Sequence, residues 1–392
     1  MHKIQDVDIK DKKVLLRLDL NVPIEDGKIL GDKRIREAIP TIQYLLDHDA
    51  SQVIIITHLG KPKGHEDEFC LWPIANRLIE LLKSNNKYYD CQQTDGYEIT
   101  EKILMLENLR FNPSEEENDP QFAKDLASKA DIFVNDAFGT CHRAHASTEG
   151  VTNFLPSYAG LLIQKEIENL NKLLKIEDKP FTVILGGAKI SDKLPVIKNL
   201  MSRANNFLIG GAIGNTFLAA RRHNMGKSLI EQETFSEANE IWKNIMDEAN
   251  RSIYLPTDVV LSKSDKEPSE IKNIEIKELL QSNYADYFAV DIGEKTIEQF
   301  STVILQSKTI FWNGNMGISE VPEFAEGTNK IAEIIGKSSA YVVIGGGDTV
   351  AAFEALKISS DKIFLSTGGG ATLEFLAGKQ LPGLVALGYQ NN

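Results

Sequence analysis

Nine short apolar runs, each set off from the next by a longer amphipathic segment, leave this chain few architectures. VLLRLDL (14–20), VIIIT (53–57), ILML (103–106) and DIFVND (131–136) recur through the first half, and FTVIL (181–185), NFLIG (206–210), TIFW (309–312), YVVIG (341–345) and KIFLS (362–366) through the second. Apolar runs of this length read as strands buried on both faces, and strands alternating with helices return the chain to the same sheet edge each time, which makes neighbours parallel. Between the runs, Arg34 to His48 places Ile35, Ile39, Ile42 and Leu46 at helical spacing, with Pro40 obscuring where that helix begins. The expected class is α/β, with doubly wound, Rossmann-like parallel sheets.

At 392 residues the chain exceeds one ordinary core, so two domains are expected. AGLLIQKEIENLNKLLK (159–175) carries Ile163, Ile167, Leu170 and Leu174 on one stripe and reads as a helix joining a first domain over 1–158 to a second over 176–377, with a cleft between them. No repeat or low-complexity tract interrupts this pattern. The dense charge run SEEEN (114–118) reads as a solvated loop.

A formal charge of −13 argues against nucleic acid or an anionic membrane as partner, since both need a basic field. The N-terminal MHKIQDVDIKDKK lacks the apolar core of a secretion signal, and no run approaches the roughly 18 apolar residues of a membrane span. Cys70, Cys91 and Cys141 are far apart and form no CxxC pair, so neither a disulfide framework nor a zinc knuckle is expected. Together these point to a cytoplasmic protein.

Strand-like residues run directly into glycine at Gly186-Gly187, Gly210-Gly211, Gly345-Gly346-Gly347 and Gly368-Gly369-Gly370, and WNGNMG (312–317) adds a fifth such loop. In an open parallel sheet every strand-to-helix loop leaves from the edge where ligands bind, so the five should converge. Backbone N–H groups and a helix dipole there favour an anion, whereas tight helix packing would also call for glycine. TVILGGAKISDKL (182–194) adds Lys189 and Lys193, four apart and on one face if the segment is helical. Asp348 opens a helix-like segment and reads either as its cap or as a ligand for magnesium between phosphates. No loop has the GxGxxG spacing of a dinucleotide site, and MGKS (225–228) lacks the first glycine of a Walker A loop. Two lysines, a carboxylate and many N–H groups suit a magnesium nucleotide.

In the first half, polar residues stand at strand ends: Asp19 and Asn21 in RLDLNVP, His58 and Lys61 in ITHLGKPKG, Arg110 in LENLRF and Arg143 in DAFGTCHRAHAS, with Arg34 opening its helix. Any one arginine reads as a surface ion pair; His58, at a strand end before a Gly-Lys turn, reads first as a site residue, with a packed neutral imidazole as the lesser alternative. Their recurrence at one sheet edge describes a basic pocket for a small phosphorylated acid. Cys141, His142 and His145 are too crowded to surround a metal, and no second cluster completes the set.

Eight motifs in order, RLDLNVP, THLGKPKG, LENLRF, DAFGTCHRAHAS, LGGAKISDKL, WNGNMG, GGGDT and STGGGATLEF, resemble those of phosphoglycerate kinases across nearly the whole chain. The resemblance implies two α/β domains joined by a helix, a C-terminal tail (378–392) that rejoins the first domain, a monomer, and reversible phosphoryl transfer between 1,3-bisphosphoglycerate and ADP giving 3-phosphoglycerate and ATP. It implies phosphoglycerate contacts at Asp19, Leu20, Asn21, Arg34, His58, Leu59, Gly60, Lys61, Arg110 and Arg143. It implies nucleotide contacts at Gly187, Ala188, Lys193, Gly211, Asn313, Glu320, Gly346, Gly347, Asp348 and Thr349, with Mg2+ on Asp348. Arg34, Lys189, Gly368 and Gly369 match the groups around the phosphoryl in flight. The chain departs from the family pattern at Lys61, usually arginine, at Asn315 and Ser319 near the expected base and ribose contacts, in GGAIGN (210–215), and at Cys141, expected to be a buried free thiol. A binding protein without turnover, or a dinucleotide oxidoreductase, would be the competing readings.

Overall fold

The computed structural model describes residues 1–89, 95–175, 178–280, 282–358 and 360–390; Cys91 lies outside them, as do parts of the stretch following the joining helix. The chain divides into two compact units, Met1–Glu168 with Gln380–Asn392, and Asn169–Lys379.

The first unit is built on a six-stranded sheet in the spatial order Gly96–Thr100, Ile103–Leu106, Gln52–Ile56, Lys13–Arg17, Ile132–Asn135, Ser157–Ala159, with only the first pair antiparallel. Period-two alternation explains why both faces are apolar. Val14, Leu16, Val53, Ile55, Ile132 and Val134 enter one core, while Leu15, Ile54, Ile56 and Phe133 enter another on the opposite face. The helix Lys33–Asp47 covers the first face through Ile35, Ala38, Ile42 and Leu45. Ile39 and Leu46 are only partly buried, so the buried stripe is rotated slightly from the expected one. Pro40 sits inside this helix on its exposed side, where water can satisfy the carbonyl it leaves unpaired.

The second unit carries a wholly parallel sheet in the order Ser252–Tyr254, Asn206–Ile209, Phe181–Leu185, Thr309–Asn313, Tyr341–Gly345, Ile363–Leu365. Ile184, Leu208, Ile310, Trp312, Val342 and Ile344 pack on one face against Phe300, Ile304, Ile331 and Ile335 from the helices Glu294–Gln306 and Glu326–Lys337. A separate antiparallel sheet, Lys272–Glu275, Asp258–Ser262 and Phe288–Ile292, was not expected from the sequence.

The joining segment is helical over Leu161–Leu174, and the division between units falls inside it, at Glu168/Asn169. Its buried stripe ends at Leu173, not Leu174. In the tail, the Gly383 N–H donates to the Cys141 carbonyl at 2.9 Å and the His2 N–H to the Leu387 carbonyl at 2.9 Å, which places these residues on the first unit. No helix among the described residues is long and apolar enough to cross a membrane.

Candidate active site

In the second unit the chain winds outward from Phe181–Leu185 through Asn206–Ile209 to Ser252–Tyr254, then returns to Thr309–Asn313 and winds the other way. The loops leaving the two central strands therefore diverge, and this reversal is where open α/β sheets bind ligands. Main-chain bonds lock these loops together: Gly186 N–H to Asn313 O (3.0 Å), Gly187 N–H to Asn315 O (2.8 Å) and Gly211 N–H to Met316 O (2.9 Å). Only glycine permits the approach, because a Cβ on Gly186 would lie 2.1 Å from the Asn315 oxygen. Gly186→Ala is expected to cost about 1–3 kcal/mol of stability, as for an overpacked core, read by urea denaturation. A cost under a few tenths would show that the loops can part freely.

These loops wall a cavity of about 880 Å3, within the range of small-molecule sites. All ten expected nucleotide residues line it: Gly187, Ala188, Lys193, Gly211, Asn313, Glu320, Gly346, Gly347, Asp348 and Thr349. Asn313 is 2 % exposed, and its Nδ2 has no hydrogen-bond partner among the described residues. A buried amide donor without a protein partner at a cavity wall is open to an acceptor on a ligand or to water. Thr349 Oγ1 accepts the Gly314 N–H at 2.8 Å, tying the helix Gly347–Ala355 to the loop after Thr309–Asn313. Asp348 stands exposed in the first turn of that helix, behind Gly346 at φ +94°.

The segment bearing Lys189 and Lys193 is not helical. It is a run of turns, and Lys193 is the residue that precedes the helix Leu194–Leu200, so the two lysines do not share a helix face. Both nonetheless line the cavity. Glu231, which sequence reasoning missed, fixes this turn by accepting the Ile190 N–H at 2.8 Å and the Ser191 N–H at 3.4 Å. Burial pulls the Lys193 ammonium down to about 8, with Asp192 opposing the shift. Lys193 therefore loses its charge as pH rises through about 8, and an anion bound beside it must restore the proton. Nucleotide binding at about pH 8.5 is expected to take up a proton, by calorimetry in buffers of differing ionisation enthalpy. Binding with no proton uptake would remove Lys193 from the anion site.

Two further features escaped the sequence reading. Leu229, Pro256, Val259, Val290 and Val321 give the cavity an apolar wall, partly from the small antiparallel sheet. Asp291 also lines it; burial pushes its carboxyl up to about 7 against two amide donors, Gly327 N–H at 2.7 Å and Ile292 N–H at 2.9 Å. Gly368 and Gly369 do not line this cavity. They follow Ile363–Leu365, with Gly368 N–H on Ser366 Oγ at 3.1 Å and Gly369 at φ +50°. Of the five glycine loops, four converge on the cavity and the fifth stands apart.

In the first unit the strand ends also gather. Arg34 Nη1 donates to Asp19 Oδ1 (3.1 Å) and the Asn21 carbonyl (2.9 Å), Asn21 Oδ1 accepts the Gly60 N–H (3.0 Å), and Arg110 Nη1 donates to the Gly60 carbonyl (2.7 Å). Arg110 Nε lies 3.1 Å from Glu116 and Arg143 Nη1 3.9 Å from the same carboxylate. Leu20 and Leu59 are buried and act through their backbones, on Thr57 Oγ1 (3.1 Å) and Asn108 Oδ1 (3.2 Å), while Lys61 is exposed.

Beneath this cluster lies Arg17, fully buried, donating to Ser147 Oγ at 2.8 Å and the Leu18 carbonyl at 2.5 Å, with Nη2 3.2 Å from His58 Nδ1. Burial and the neighbouring guanidiniums of Arg17, Arg110 and Arg34 hold the His58 pKa well below its ordinary value. The ring is therefore neutral, Nδ1 accepts from Arg17, and Nε2–H is left as its donor. The charge that answers Arg17 comes from an unexpected place. Glu115 is fully buried and accepts the Ser147 hydroxyl (2.5 Å) and N–H (3.0 Å), so SEEEN is solvated only in part: Glu116 and Glu117 are exposed, while Glu115 supplies a counter-charge to Arg17. Cys141 is buried and free, and burial pushes its thiol up.

A sequence profile described as phosphoglycerate kinase matches residues 4–379. The chain is 50% identical to the phosphoglycerate kinase of Dictyoglomus turgidum over 98% of this chain and 97% of that one, and 45% identical to that of Pelotomaculum thermopropionicum over 98% of both. Solved phosphoglycerate kinases from Coxiella burnetii (TM-score 0.81, 36% identity, 98% of each chain) and Pyrococcus horikoshii (TM-score 0.83, 34% identity, 99% of this chain and 98% of that one) have similar structures. With a glycine-lined cavity in one unit and a basic pocket in the other, and with the family profile and these relatives matching along almost the whole chain, the chain belongs to the phosphoglycerate kinase family.

Proposed function

We propose that this protein catalyses reversible, magnesium-dependent phosphoryl transfer between 1,3-bisphosphoglycerate and ADP, giving 3-phosphoglycerate and ATP, in glycolysis and gluconeogenesis. The observation that carries the reading is the gathering of ten expected nucleotide residues, with the unanswered Asn313 amide among them, around one cavity. The phosphoglycerate would be held by Asp19, Asn21, Arg34, His58, Lys61, Arg110 and Arg143, where guanidiniums suit both a phosphate and a carboxylate. The net charge of −13 favours small-molecule partners over nucleic acid, and the protein is taken to work as a cytoplasmic monomer.

In the direction of ATP consumption, a carboxylate oxygen of 3-phosphoglycerate attacks the γ-phosphorus as the bond from that phosphorus to the ADP oxygen breaks. No side chain acts as nucleophile. Charge spreads over three equatorial oxygens, so catalysis is mainly positioning and electrostatics. Arg34, Lys189 and the N–H groups of Gly368 to Gly370 would surround the transferring group as fixed donors. Asp348, an exposed carboxylate at the cavity wall, is of the oxygen-donor type that Mg2+ takes alongside substrate phosphates, and the bound ion offsets phosphate charge. Water must be excluded during transfer, since it would otherwise hydrolyse the acyl phosphate.

The deciding assay is ADP release from Mg-ATP with and without 3-phosphoglycerate. Release that requires 3-phosphoglycerate supports the reading; release that ignores it, or none, sinks it. Lys61 is expected to tune affinity in the same assay. Lys61→Arg, which replaces a point charge by a bidentate fork, should lower KM for 3-phosphoglycerate by several-fold, about 1 kcal/mol. An unchanged KM would take Lys61 out of the pocket.

A further inference from the structure

The segment between Gly60 and the helix Trp72–Leu81 carries a side-chain cluster that the reaction does not use. His65, Asp67 and Cys70 each offer one donor atom, and the three atoms lie within 4.8 Å of one another. His65 Nδ1 and Asp67 Oδ1 are 3.8 Å apart. A tetrahedral ion with bonds of about 2.0–2.3 Å sets its ligand atoms roughly 3.3–3.8 Å apart, so His65 and Asp67 stand at the outer end of that range, and a pair at the 4.8 Å limit would close by about 1 Å. Among the described residues this is the one grouping of histidine, cysteine and carboxylate side chains that close together.

We propose that His65, Asp67 and Cys70 bind a thiophilic divalent cation of the zinc type, at a site separate from the nucleotide's magnesium. The donor set decides the ion. Imidazole nitrogen and thiolate sulfur select zinc-like metals, whereas Mg2+ and Ca2+ take oxygen. Local structure already holds the ligands in place. Asp67–Phe69 forms a 3-10 turn, which brings residues three apart to the same side, and the Cys70 N–H donates to the Asp67 carbonyl at 3.2 Å. Glu66 accepts the Lys63 N–H at 2.6 Å, and the His65 ring packs on Phe111 with centroids 4.5 Å apart. Cys70 is 4% exposed, while His65 and Asp67 face solvent, so the ion has a buried anchor and an open entry side. Three protein ligands leave the fourth position to water.

A plain His65–Asp67 ion pair is the alternative, and the thiolate separates the two. Cobalt(II) titrated into metal-free protein is expected to bind at one equivalent, with tetrahedral visible bands and a sulfur-to-cobalt charge-transfer band in the near ultraviolet. Zinc should displace it; excess magnesium should not. Cys70→Ser should abolish the charge-transfer band, Cys141→Ser should keep it, and His65→Ala should weaken cobalt binding about tenfold or more. Circular dichroism of each variant checks folding, and the wild-type titration stands by itself if one does not fold. An octahedral cobalt spectrum in the wild type, or a charge-transfer band that survives in Cys70→Ser, would overturn the site. None of these readouts depends on kinase activity.

Discussion

Lys189→Ala is expected to lower kcat by about 10²–10³, or about 3–4 kcal/mol of transition-state stabilisation, with KM for either substrate changing less than about threefold. The side chain lines the cavity of the second unit yet is exposed, so removing it leaves no buried group unpaired and the fold should be intact. A mobile cation at the cavity wall can follow charge that develops on the phosphoryl oxygens. A group that only held the ground-state nucleotide would show its loss in KM. Lys189→Arg should recover part of the rate, because charge matters more than shape for a group following a moving target. Steady-state kinetics in the direction of ADP release measures both. If kcat is kept and only nucleotide KM rises, Lys189 belongs with Lys193 as a binding residue.

Glu115→Ala is expected to destabilise the first unit by about 3–5 kcal/mol, the cost of leaving a buried charge without its partner. Arg17 is fully buried and reaches Glu115 through Ser147, whose hydroxyl accepts from one and donates to the other. Glu115→Gln keeps the shape and some hydrogen bonding and should cost less, about 1–3 kcal/mol. Arg17 also meets His58 Nδ1, so 3-phosphoglycerate affinity should fall in both variants even where the protein stays folded. Urea denaturation and a KM measurement test the two parts. A cost below about 1 kcal/mol for the alanine variant would mean that Asp19 alone compensates Arg17.

The framework of both sheets was legible because strands buried on two faces write themselves as unbroken apolar runs; VIIIT and FTVIL could be little else. The strands that escaped are short or mixed in character. Lys272–Glu275, KNIE, has neither alternation nor an apolar run, and Ser157–Ala159 gains its identity only from the neighbour it pairs with. Asn313 and Asp348 could be found because glycine marks the loops that present them. Glu115 could not, since a glutamate in SEEEN looks the same whether water or Ser147 answers it. The sign that was present lay elsewhere, in Arg17: a cation ending the run VLLR, at a place where every other residue is apolar, demands a buried acid. Asp291 stayed hidden because its role is set by Gly327, thirty-six residues later.

The main-chain bonds that tie Gly186, Gly187 and Gly211 to the turn at Asn313 to Met316 carry a lesson for redesign. Three turns from distant parts of the chain behave as one rigid casting, and no member can be exchanged for a sequence of different length or hand without recasting the others. The cavity's apolar wall is better altered at Leu229, which is exposed, than at Val259 or Val290, which are core residues, and such a change leaves the casting whole.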